Sequence, residues 1–289
     1  MILQLSAQTE RVVPYEYFGE GRVVDLMPQL TKAGHVPAGI AVLVDRRQYA
    51  PEEVRANFKT SYFWTGDSAG TDEKGGALLT LDSPLLRQLT PESTLVNGAL
   101  KLNQEQWKEL KADKEHSLYL TPQQVEAAQG KGYVLKKGKF VPANKAVAKA
   151  WEHLNRGKGL QAYAQMVSEA SRNNDVMQLY FDQSQPSTPT LRSFVLLSFD
   201  NYSDAGGNPN LNNGNGRLVG VVKNILTVHS DPETASQLER IARGGSKQKA
   251  VRCAVRLTDY FLRKTDEDYK IALLKAGQDP ILVEFLDEK

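Results

Sequence analysis

Apolar positions along this chain fall into three textures: short runs broken by turns, then two helical periodicities, then continuous strand-like stretches. Residues 25–34 predict a short helix ended by Gly34, and 39–44 a buried strand or helix start. Pro51 and the acids after it open a helix that places Val54 and Phe58 on one face. Residues 61–65 and 77–81 flank a polar, Gly-rich stretch, 66–76, which predicts a hairpin with a long solvated tip carrying Asp67, Asp72 and Glu73. Two polar helices follow at 103–111 and 121–129, the second with Thr121 and Gln124 as a capping box. Residues 130–140 predict a Gly- and Lys-rich turn with a short strand. Helical spacing returns in Ala146, Val147, Ala150, Trp151 and Leu154, and again in Leu160, Tyr163, Ala164 and Val167. Strands are predicted at 176–181, 191–199 and 217–222, and further helices from Asp231 and from Lys247 to Arg263. The whole predicts an α+β protein with helices packed on a small, mostly antiparallel sheet. An N-terminal region, 1–140, and a C-terminal region, 141–289, are expected, as two parts or one continuous domain.

The longest apolar runs, 39–44 and 194–197, are far below the roughly 20 residues of a spanning helix. The first residues lack the pattern of a secretory signal, and the single cysteine, Cys253, forms no disulfide framework. A cytoplasmic location is therefore expected, with display at a surface left open. The net charge of +2 conceals segregation. Residues 131–158 hold eight basic residues against Glu152, and 240–264 hold eight against Asp259. Two such runs create local positive fields in a nearly neutral chain.

No nucleophile elbow, phosphate-binding glycine loop or metal-spaced histidine pair is present, and His35, His116, His153 and His229 stand singly. No cofactor or metal is expected. Cys253 shares a helical face with Ala250, Leu257 and Tyr260, which predicts a buried, inert thiol. On the same helix Lys249, Arg252, Arg256 and Arg263 form a basic stripe able to track a nucleic-acid backbone.

The most distinctive stretch is 200–216, in which fourteen of seventeen residues are Asn, Asp, Ser, Gly or Tyr. Such a composition predicts a turn-rich, exposed loop between the strands at Leu191 and Arg217, projecting from the sheet edge. Followed by Arg217-Leu218-Val219-Gly220-Val221, it resembles the variable region of diversity-generating retroelement target proteins. In that family, adenines of asparagine codons are randomised, and the products include the Asp, Tyr, Ser and Gly seen here. The resemblance implies a C-type-lectin-type fold in the C-terminal half and a ligand-binding face made by the varied side chains.

Three functions are thus expected, in descending order. The first is a binding module in which Asn201, Tyr202, Asp204, Asn208, Asn210, Asn212, Asn213 and Asn215 contact a protein or glycan ligand. The second is nucleic-acid binding through Lys249, Arg252, Arg256 and Arg263, assisted by Lys136, Lys137 and Lys139. An enzyme built from scattered carboxylates ranks last, because no catalytic pair presents itself.

Overall fold

A computed structural model describes residues 15–50 and 52–222, all within one compact unit spanning Ser6–Lys223. The helices predicted from Asp231 and Lys247, with Cys253 and the basic stripe, lie outside the described residues.

Fourteen strands are present among the described residues: β1 (Tyr15–Gly21), β2 (His35–Pro37), β3 (Phe63–Thr71), β4 (Ala77–Thr80), β5 (Leu95–Val96), β6 (Ala99–Lys101), β7 (Ser117–Leu120), β8 (Tyr133–Lys136), β9 (Lys139–Pro142), β10 (Asp175–Val176), β11 (Leu179–Phe181), β12 (Thr190–Leu196), β13 (Ala205–Gly207) and β14 (Gly216–Val222). The main sheet runs β1-β14-β3-β12-β13-β11. β2 is added to β14, β4 to β3 and β7 to β4, and β6 with β5 to β12. Among the described residues only β14 with β3 and β11 with β13 pair in parallel. A smaller antiparallel sheet orders β10-β8-β9. The expected mostly antiparallel sheet with packed helices is what forms.

Successive strand side chains point to opposite faces, so neighbouring apolar residues feed two different cores. Phe63, Leu79, Phe194, Leu196 and Val219 join one cluster with Ile40, Leu43, Trp151, Tyr163 and Val167 of three helices, Ile40–Tyr49, Lys145–Leu154 and Gln161–Ser171. Their chain neighbours Trp64, Leu78, Val195 and Leu218 join a second cluster with Val23, Met27 and Leu30 of helix Val23–Lys32, Trp107 of helix Gln104–Ala112, and Leu211. Burial on both faces fixes register, since a one-residue slip would exchange the two sets. Local signals hold at the helix ends. Thr121 and Gln124 form the predicted capping box, Asn103 and Gln106 form another, and the segment 39–44 resolves as the start of a helix.

The solvated tip expected at 66–76 is corrected. β3 continues through Thr71 and is buried throughout, and only residues 72–76 turn. Thr65 and Asp67 have partners inside. Thr65 Oγ1 donates to a backbone carbonyl, with the oxygens of Phe194 at 3.0 Å and Asp67 at 3.1 Å. The buried Asp67 carboxylate accepts the Ile40 amide at 2.7 Å and the Asp82 amide at 3.1 Å. It thereby satisfies an otherwise orphaned donor at a helix N-terminus.

Arg47, fully buried, ties distant elements together. Its guanidinium donates to Phe58 O at 2.8 Å, Ser61 O at 3.2 Å, Tyr163 Oη at 3.1 Å and Ser203 Oγ at 2.8 Å, and lies 5.4 Å from the Phe199 ring centre. Replacing it leaves buried acceptors without donors. Arg47→Met is predicted to cost about 3 kcal/mol or more, read as a lowered urea midpoint at unchanged slope. A loss below about 1 kcal/mol would contradict this account of the network.

Candidate ligand-binding surface

The stretch 200–216 is not one projecting loop. The structure breaks it into a 3-10 turn at Phe199–Asn201, the strand β13, an exposed connector at 208–215, and the first residue of β14. Ala205, Gly206 and Gly207 are small enough to form a buried strand between β12 and β11, so a sequence poor in apolar residues still supplies part of the sheet. β13 and β14 lie on opposite sides of the β12–β3 pair, and the connector crosses it on the face of the second core. The predicted site residues therefore divide into two groups, separated by roughly 13 Å of strand.

The first group precedes β13. Asn201 donates through Nδ2 to Tyr62 Oη at 2.8 Å. Tyr202 and Ser203 both adopt positive φ, +57° and +54°, which turns Tyr202 outward and Ser203 inward. The inward Ser203 Oγ lies 2.6 Å from Tyr163 Oη and accepts from Arg47. Asp204 is buried rather than displayed, and its Oδ1 accepts the Gln178 amide at 2.6 Å. Burial, opposed by that amide and reinforced by Asp175, pushes its carboxyl up to about 7.

The second group is the connector. Asn208, Asn210, Asn212, Asn213 and Asn215 are all exposed, while Leu211 between them is fully buried in the second core. Leu211 N donates to Gly98 O at 2.8 Å, and Leu211 O accepts the Val23 amide at 3.1 Å. Gly98 has φ +74°, and a β-carbon there would collide with the Asn210 side chain, so the close approach of the 97–98 turn requires glycine. Asn213 Oδ1 accepts the amide of Asn215 at 3.1 Å. Beneath them Arg192, 5% exposed, donates to Asn210 Oδ1 at 2.6 Å and Asn97 O at 2.9 Å. It also pairs with Asp182 Oδ2 through Nε at 3.0 Å and Nη2 at 2.9 Å. One guanidinium thus fastens three loops. Burial works to raise the Asp182 carboxyl, but hydrogen bonds from Ser184 and Arg192 outweigh it and hold it below the usual range.

The structure also brings His116 and His153 to one open depression of about 490 Å³, lined by Leu81, Glu115, Lys149 and Arg156 among others, which no residue of the Asn-rich stretch lines. His116 pairs with Asp113 at 3.0 Å, and burial lowers the His153 pKa. Among the described residues no group of three or more His, Cys, Asp or Glu is placed to hold a metal ion, and no helix is long and apolar enough to cross a membrane. Arg47, Arg192, Asp182, Gly98 and Leu211 were not predicted as parts of this surface. Leu211 alone carried a signal, as the one large aliphatic residue in the stretch.

No protein-family model matches the sequence, and a search of curated proteins finds no match. Among solved structures, one described as "Accommodation of massive sequence variation in Nanoarchaeota by the C-type lectin fold" is similar. The TM-score is 0.52 and the identity 15%, over 73% of this chain and 98% of that one. The protein therefore has a C-type lectin fold. The likeness extends beyond the C-terminal half, as expected for a sheet that interleaves strands from both sides of residue 140.

Two buried carboxyls make stability depend on pH. Burial and the Asp82 charge raise Asp67 to about 6, against hydrogen bonds from Ile40 and Asp82, and Asp204 stands at about 7. Both lie above the unfolded value of about 3.9, so the folded chain keeps protons that the unfolded chain has lost. Their contribution is complete below about pH 4 and is lost as pH rises through about 6 to 7, at up to about 1.4 kcal/mol per pH unit for each group. Asp182 works in the opposite sense and below that window: its contribution is lost as pH falls through its lowered pKa. Urea midpoints between pH 4.5 and 7.5 should decline, and Asp204→Asn should flatten the decline. An unchanged slope in that variant would contradict the assignment.

Proposed function

We propose that the chain is a ligand-binding protein in which Asn208, Asn210, Asn212, Asn213 and Asn215, with Asn201 and Tyr202, contact a protein or glycan ligand. Asp204, buried and bonded to the Gln178 amide, belongs to the scaffold beside that turn. The observation that carries this reading is a separation of roles: the asparagine side chains of the connector face solvent, while its backbone is held by Gly98, Val23 and Leu211. At 208, 212, 213 and 215 the side chains can change without loss of the scaffold, whereas Asn210 is held by Arg192; exchangeable side chains on a fixed backbone are what a varied recognition surface requires. Tyrosine supplies contact area at low entropic cost, and asparagine supplies both donors and acceptors. The C-type lectin fold supports the same reading, since the similar solved structure is described by its sequence variation. We infer further that these positions are varied by a diversity-generating retroelement, in keeping with the Asn-rich run that ends in Gly216-Arg217.

Two measurements test this. Replacing Asn208, Asn212, Asn213 and Asn215 together by serine should shift stability by no more than about 0.5 kcal/mol per site and abolish binding on a glycan array or to a selected protein ligand. At the locus, a near-copy of the stretch encoding 200–216 that differs only at adenines should lie beside a reverse-transcriptase gene. Retained binding in the serine variant, or a large loss of stability, would contradict the assigned surface. A locus lacking such a copy would contradict the retroelement origin and leave the surface to the binding test.

A further inference from the structure

The hairpin β8–β9 and the helix that follows it place lysines where the local physics disfavours them. Lys136 and Lys139 are direct cross-strand partners, an arrangement in which like charges repel. The two residues joining them, Lys137 and Gly138, have φ +50° and +76°. That is a type I′ turn, whose first central position is suited to Asn, Asp or Gly and strained for lysine. Lys145 is the first residue of the helix Lys145–Leu154, at the positive end of its dipole, with no acid in the first turn. Lys149 stands one turn further along, a like charge at i,i+4. All five lysines are exposed, and among the described residues none forms an ion pair or a side-chain hydrogen bond. The helix packs against β9 and buries Ala146, Val147, Ala150 and Trp151, so Lys145 and Lys149 face outward. Glu152 interrupts the row. Four unfavourable choices within residues 136–149, with no compensating contact among the described residues, mark a surface suited to an anionic partner.

We propose that this hairpin and the outer side of helix Lys145–Leu154 bind the phosphate backbone of duplex nucleic acid, independently of base sequence. A run of exposed ammonium groups on the hairpin and the helix suits an extended array of phosphates, which lysine meets as a point charge. Acidic protein partners would favour the planar fork of arginine, and none of the five residues is arginine. A lipid surface would favour apolar residues able to insert, and the turn from Lys136 to Lys139 carries none, Leu135 being the exposed apolar neighbour. A two-stranded ribbon fits the major groove, yet these residues offer no planar amide or guanidinium fork and no stacking ring, so the phosphate charge is what they chiefly read. This surface is distinct from the asparagine connector and does not rest on its function.

The test is binding of the full chain to a random-sequence 25-base-pair DNA duplex, followed by anisotropy between 50 and 200 mM salt. The logarithm of affinity should fall linearly with the logarithm of salt concentration. The triple variant Lys136→Gln, Lys137→Gln, Lys139→Gln should flatten that slope by about 0.9 per lysine removed, and arginine at the same three positions should restore it. Lys137→Asn is the sharper variant, because it relieves the turn: it should raise the melting temperature while weakening binding. No retention on the duplex, an unchanged slope in the glutamine variant, full affinity in Lys137→Asn, or tighter binding to phosphatidylserine vesicles than to the duplex would each overturn the proposal.

Discussion

A polar stretch of chain has little apolar surface with which to hold itself in place, so its order must come from hydrogen bonds supplied by neighbouring elements. Here two buried guanidinium groups supply much of it. Arg47 reaches from a helix to Ser203 at one end of the Asn-rich stretch, and Arg192 reaches from β12 to Asn210 at the other. Arginine suits the task because five donors in a fixed plane can satisfy several carbonyl and carboxylate oxygens at once. The two sites differ in how the buried charge is compensated. Arg192 pairs with Asp182, whereas Arg47 donates to carbonyls and hydroxyls and lies against a ring face. Removing either partner of such a set leaves the other stranded in a region of low polarity, which is far more costly than the bonds themselves are stabilising.

The scaffold around these anchors is stiff for a separate reason. Strands β3 and β12 are covered on both faces, their alternate side chains are committed to two cores, and β14 closes the sheet by pairing with β1, β2 and β3. The connector from β13 to β14 is laid across one of those faces, and Leu211 enters the core as its only apolar anchor between residues 208 and 215. Fixed backbone and, Asn210 apart, exchangeable side chains are thus separated within eight residues. That separation links the C-type lectin fold to the proposed recognition role: the exposed positions contribute little to the core and are open to change.

What the sequence made legible was local. Capping residues, helical periodicity and the strand at Arg217 each follow from neighbours within a few positions, and they appear where expected. The second half of β3 was hidden because Gly66, Asp67, Ser68 and Gly70 have the look of a solvated turn, and the Ile40 amide that the Asp67 carboxylate accepts is brought in by tertiary structure. For the same reason composition overstated the exposure of 200–216. Small residues at 205–207 let a polar segment form an interior strand, and Asp204 is buried by the elements around it. The anchoring arginines carried no signal at all, since Arg47 lies 156 residues from Ser203 and Arg192 lies 95 from Asn97. Charge placement, by contrast, could be read directly, and the structure adds the turn and helix geometry that makes the lysines of 136–149 unfavourable.

Amide hydrogen exchange, resolved residue by residue across 205–216, tests the central claim most directly. The Leu211 amide, bonded to Gly98 O, should be protected alongside the sheet, while Asn212 and Gly214 exchange rapidly. In Arg192→Met, protection of Leu211 should fall toward that of its exposed neighbours, with Phe63 and Leu196 in the sheet less affected. Uniformly rapid exchange through the stretch in the unaltered protein, or a Leu211 amide indifferent to Arg192, would contradict an anchored connector.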